Sequence, residues 1–102
     1  RVALHDVMDG AVPDEIQQRI RSIAAAVEGV SGVEKCRVRR SGLGLMMDIH
    51  VEVDGNMTVT ESHRIAHLVR DTLVGSGLSI ADVVVHIEPA DGIPIDYPPR
   101  VT

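Results

Sequence analysis

Near the C-terminal end of the chain, His86 and Glu88 stand two positions apart in Val83-Val84-Val85-His86-Ile87-Glu88-Pro89. In an extended strand alternate side chains share a face, so this imidazole and carboxylate project together. Those are donor types that Zn²⁺ and its neighbours accept. A second set occurs in Asp48-Ile49-His50-Val51-Glu52, where Asp48 and Glu52 flank His50 on its own face. A third pair, His63 and His67, is one helical turn apart, a spacing that chelates a metal or simply faces water. His50, His86 and Glu88 form the strongest combination, because both histidines point outward on strands that could lie side by side.

Other chemistries find less support. Cys36 sits on the apolar parity of its strand, where a small core residue is expected rather than a nucleophile. No G-x-S-x-G, H-E-x-x-H, P-loop or G-x-G-x-x-G is present, and no nucleophile–base pair can be named, so the chain does not read as an enzyme. Lys35, Arg37 and Arg39 make a basic stripe, but the net charge of −5 argues against nucleic acid and favours cations. With a single Tyr and neither Phe nor Trp, stacking recognition of bases or sugars has almost nothing to work with.

The elements that must position these donors follow from periodicity. Pro13 fits a first helical position, with Asp14 and Glu15 in the positively polarised first turn. Ile16, Ile20, Ile23, Ala24 and Val27 then recur at helical spacing, so an amphipathic helix over 13–28 is expected, with Gln17, Gln18 and Arg21 on its solvated face. Gly29 ends it. Val33–Arg40 reads as a strand with Cys36 and Val38 on one face, and Ser41-Gly42-Leu43-Gly44 as a hairpin turn. Leu45, Met47, Ile49, Val51 and Val53 alternate with Met46, Asp48, His50, Glu52 and Asp54, the clearest strand pattern in the chain. Thr58 and Glu61 form a capping box that starts a second helix running to about Val74, with Ile65, Leu68, Val69, Thr72 and Leu73 as its buried stripe. Ile80–Glu88 is the third strand.

The order α-β-β-α-β predicts an α+β fold in which two helices cover one face of a three-stranded mixed sheet, ferredoxin-like in outline. Nothing in the chain covers the other, unusually polar face. At 102 residues this is one domain, expected over 13–89, between a linker over 1–12 and an irregular tail over 90–102 that holds three of the five prolines. A single cysteine rules out an internal disulfide and fits a reducing compartment. No apolar run approaches the roughly 20 residues of a membrane span, and no signal peptide is visible. The start at Arg1 rather than Met fits a piece excised from a longer protein.

The ordered set Met8-Asp9-Gly10-Ala11-Val12-Pro13, Val30-Ser31-Gly32-Val33, Arg37-Val38-Arg39-Arg40-Ser41-Gly42, Asp48-Ile49-His50-Val51-Glu52-Val53, Glu61-Ser62-His63-Arg64-Ile65-Ala66 and Val85-His86-Ile87-Glu88-Pro89 resembles the cytoplasmic C-terminal domain of cation diffusion facilitator transporters. The resemblance covers about residues 6–89. It implies a fold similar to copper metallochaperones, attached through the 1–12 linker to a membrane exporter and lying at the cytoplasmic face of a membrane. It also implies a V-shaped homodimer whose arms move when divalent cations bind near the interface, activating the transporter. Ligand positions of zinc-exporting members fall on His50, His63, His86 and Glu88, with His63 reaching from the partner subunit, and a further one on Glu34. Glu34 and Glu88 replace the histidine and aspartate of some zinc members, so Zn²⁺ is the default cation and Fe²⁺ or Mn²⁺ the alternatives. Two other classes compete with this reading. A free-standing metallochaperone-like protein would deliver metal to a partner, and a small-ligand sensing module would place its contacts in loops.

Overall fold

The computed structural model describes residues 12–90. The expected linker, apart from Val12, and the expected irregular tail, apart from Ala90, lie outside the described residues, as does His5. Five elements follow in the expected order: α1 (Asp14–Ala25), β1 (Gly32–Ser41), β2 (Gly44–Val53), α2 (Val59–Val74) and β3 (Ile80–Pro89). The sheet order is β1-β2-β3, so the strand with the cleanest alternation is the central one. β1 pairs with it antiparallel through the hairpin, and β3 pairs parallel after the crossover through α2.

The core forms where the two apolar stripes meet the apolar face of the sheet. Ile20, Ala24 and Val27 from the α1 segment, Ile65, Val69 and Leu73 from α2, and Leu45, Met47, Ile49, Val51 and Val53 from β2 are all buried, joined by Ile80 and Val83 of β3. With no Phe or Trp available, cohesion comes from aliphatic side chains, each stabilising the fold by about 1.5–3 kcal/mol when fully buried. The last turn after α1 closes at Gly29, whose φ of 98° is left-handed, and an added Cβ there would lie 2.5 Å from Ile65 Cδ1. Gly44 is similarly constrained: with φ at 129°, a Cβ would lie 2.5 Å from the Ser79 carbonyl, where the start of β3 runs against β2.

Several details depart from expectation. Pro13 is the N-cap residue of α1 rather than its first helical residue, and the helix proper stops at Ala25, with Ala26–Gly29 forming its closing turn. Arg21 is half-buried and donates from Nη1 to the Val33 carbonyl at 3.3 Å, tying α1 to β1 instead of standing in solvent. Leu68 and Thr72 are exposed; the buried stripe of α2 is the narrower Ile65, Val69, Leu73 row, because the helix packs over the sheet at its β3 side and only a strict i, i+4 line meets the core. Half of the capping box forms. The Glu61 backbone N–H donates to Thr58 Oγ1 at 3.1 Å, while the Glu61 carboxylate accepts from Arg64 at 2.6 Å.

Candidate metal centre

On the outer face of the sheet, register rather than proximity in sequence brings the donors together. His50 on β2 is opposite His86 on the parallel strand β3, and Glu52 is opposite Glu88. The two imidazoles stack with centroids 4.4 Å apart and planes 12° apart. Glu88, two residues further along the same face, reaches back so that its Oε2 lies 2.6 Å from His50 Nδ1.

Glu34 arrives by a different route. The ladder between β1 and β2 slips between Val33, opposite Val51, and Lys35, opposite His50. Glu34 is therefore a β-bulge residue, an extra position that lets both Val33 and Cys36 face the core. In a regular strand Glu34 would share the parity of Cys36 and point inward. The bulge turns it outward, with Oε1 3.9 Å from His50 Nδ1. The sequence carried a signal of this: apolar residues at 33, 36 and 38 change spacing from three to two, which no unbroken strand does.

Glu34, His50 and Glu88 thus offer one ligand atom each, all within 4.8 Å of one another. His50 is the most enclosed of the three, with 22% of its side chain exposed against 47% for Glu34, so solvent reaches the cluster from the β1 side. The two carboxyls perturb each other in opposite directions. Glu34 is raised above the usual carboxylate range, first by its hydrogen bond to Glu88 and then by that group's negative charge. Glu88 is lowered, first by its hydrogen bond with His50 and then by that with Glu34.

The donor set fits a divalent ion. Zinc–ligand bonds of about 2.0–2.1 Å at tetrahedral angles place donor atoms about 3.4 Å apart. The two distances from His50 Nδ1 bracket that value, at 2.6 Å to Glu88 and 3.9 Å to Glu34. Small side-chain rotations would open the hydrogen-bonded pair and draw in Glu34. Three ligands leave a position for water or a donor from another molecule.

Of the sequence-derived candidates, Glu34, His50 and Glu88 converge, and His86 lies against them through its stack on His50. His63 does not join within one chain. It lies on α2 beside His67, in a recess that also involves Val83 and Val85 of the opposite, apolar parity of β3. Asp48 and Glu52 share the outer face but not the cluster found among the described residues. Cys36 is half-buried against the core, and burial raises its thiol above the ordinary range, partly offset by the charge of Arg21.

Comparison with known proteins points the same way. The family model described as "Cation efflux protein, cytoplasmic domain" matches residues 12–90. The cation-efflux pump FieF of Cronobacter sakazakii is 33% identical over 92 residues, which make up 90% of this chain and 30% of that protein. Metal tolerance protein C1 of Arabidopsis thaliana is 33% identical over 85 residues, 83% of this chain and 18% of that protein. The chain therefore spans at most 30% of the length of these two curated relatives. Among solved structures, a substituted MamM CTD in a nickel form aligns with a TM-score of 0.72 at 30% identity, covering 76% of this chain and 98% of that one. Another MamM-CTD structure gives 0.71 at 32% identity, over 74% and 96%.

Proposed function

The chain belongs to the family of cation efflux protein cytoplasmic domains, and from that membership we propose that it is the dimerising, cation-sensing part of a divalent-cation exporter. The observation that carries the reading is the Glu34–His50–Glu88 cluster, three convergent donors on a sheet face that no other element among the described residues covers. Its role is regulatory, with the ion as a signal and no bond chemistry performed on it.

The mechanism follows from the charges. Two copies facing each other through their outer sheet faces bring two acidic clusters together, which repel in the absence of cation. A divalent ion bound by Glu34, His50 and Glu88, with His86 beside them, removes that repulsion and favours the closed pair. Closure draws the arms of the dimer together and activates the membrane part of the exporter. The ion shifts this equilibrium only by its differential affinity for the closed and open states. Zn²⁺ suits an imidazole–carboxylate set, and the two carboxylates leave Fe²⁺ and Mn²⁺ as competing cargoes.

Small-angle scattering of the chain with and without Zn²⁺ tests this reading. Compaction of a dimer on adding Zn²⁺, abolished by His50→Ala, is the expected outcome. A dimer whose dimensions are indifferent to Zn²⁺, Fe²⁺ and Mn²⁺ would overturn it.

A further inference from the structure

We propose that His63 and His67 form a second cation site, built on α2 alone, for a nitrogen-preferring late first-row ion such as Ni²⁺ or Cu²⁺. The helix sets the two residues one turn apart, and their Nε2 atoms lie 3.0 Å apart with ring planes at 73°. The two Nε2 atoms stand within hydrogen-bonding distance of each other, close enough for one ion to reach both. Two bonds of about 2.1 Å at right angles place cis nitrogens about 3.0 Å apart, which is the spacing of octahedral or square-planar coordination rather than tetrahedral. Ni²⁺ and Cu²⁺ favour those geometries and imidazole ligands.

The surroundings permit a positive ion. The pair borders a recess with Ala66, Arg70, Val83 and Val85. The guanidinium of Arg70 is engaged by Asp82 at 3.3 Å and Asp71 at 3.6 Å, so its charge is compensated. Arg64, on the same helix, is held by Glu61 at 2.6 Å. Both histidines are exposed, so water can fill the remaining coordination positions. Because the apolar parity of β3 separates this recess from the outer face, the two sites load independently within one chain. They also differ in taste: two carboxylates in one admit Mn²⁺ and Fe²⁺, whereas two imidazoles select against them.

The site needs no dimer, so absence of Zn²⁺-driven compaction leaves it standing. The test is calorimetric titration with Ni²⁺ of the 102-residue chain carrying His50→Ala and Glu88→Ala, and of the same chain with His67→Ala added. The first is expected to bind one Ni²⁺ per chain, and the second to lose at least about tenfold in affinity. In the first variant, paramagnetic broadening by Ni²⁺ should fall on the His63 and His67 ring resonances. Identical titrations, or broadening centred elsewhere, would overturn the proposal. Circular dichroism confirms that each variant keeps its helices, and His63→Ala serves as the second route should the His67 variant not fold.

Discussion

His50 and His86, 36 positions apart in sequence, lie directly opposite each other on parallel strands with their rings stacked at 4.4 Å. The contact sets the orientation of the more enclosed imidazole and thereby aims its Nδ1 at the two carboxylates. It also separates two roles that His86 could fill, a supporting ring or a donor. His86→Phe keeps an aromatic ring against His50 and deletes the nitrogens. If it is a donor of the proposed metal site, His86 should be irreplaceable by Phe, with Zn²⁺ affinity falling at least about tenfold in calorimetry. An unchanged titration confines His86 to packing.

The bulge at Glu34 gives a prediction that a point substitution cannot. Deleting Glu34 joins Val33 to Lys35 and restores strict alternation, with Val33 and Cys36 still inward and Lys35 still opposite His50. The shortened chain should fold with an unchanged thermal midpoint and yet lose Zn²⁺ affinity as much as Glu34→Ala does. A deletion variant that unfolds would show that the irregularity is needed for the sheet itself.

Gly29→Ala tests the close approach between the end of α1 and α2. The left-handed backbone alone costs roughly 1–2 kcal/mol with a Cβ present. The contact with Ile65 Cδ1 adds to it, since that side chain is only 1% exposed and has little room to move. For a domain of this size, each 1 kcal/mol lowers the thermal midpoint by about 4–8 °C, so calorimetric melting should show a drop of at least that amount. Gly42→Ala, at a position with open space around it, should change the midpoint far less.

Cys36 supplies a pH dependence of known sign. Burial disfavours its thiolate, so its pKa is raised relative to the unfolded chain. The neutral thiol stabilises the fold below the unfolded value, and that contribution disappears as pH rises through the folded one. Alkylation of the native protein should accelerate at a higher pH than alkylation of the urea-unfolded chain. Coincident rate profiles would mean that the thiol is effectively in solvent.

How much of this was legible in the residues depended on whether a pattern was local. The unbroken alternation from Leu45 to Val53 announced both the central strand and the outward position of His50, and the Val83–Pro89 run did the same for His86 and Glu88. Ile20, Ala24, Ile65 and Leu73 followed from helical spacing. What pairing decides was not readable in the same way. The His50–His86 register belongs to two strands joined through a helix, and the outward turn of Glu34 depends on a slip that only a partner strand defines. Glu34 entered the candidate set by family resemblance, whereas the physical reason for its position is the bulge. Leu68 and Thr72 were misplaced for a related reason: a helix shows which residues share a side, but the width of the buried stripe is set by what packs against it.

The parallel pairing of β2 and β3 has one more consequence, which concerns the order of assembly. Hairpin β1–β2 can form early and already holds Glu34 near His50, but Glu88 arrives only after α2 has crossed the sheet and β3 has seated. The full donor set therefore exists only in the completed fold, and a cation captured there binds the native chain alone. At 100 times its dissociation constant, such an ion raises native stability by about 2.7 kcal/mol, so chelation should lower the melting temperature of the metal-loaded domain. A cation bound at the sheet face would thus add to the stability of the same fold that assembles its ligands.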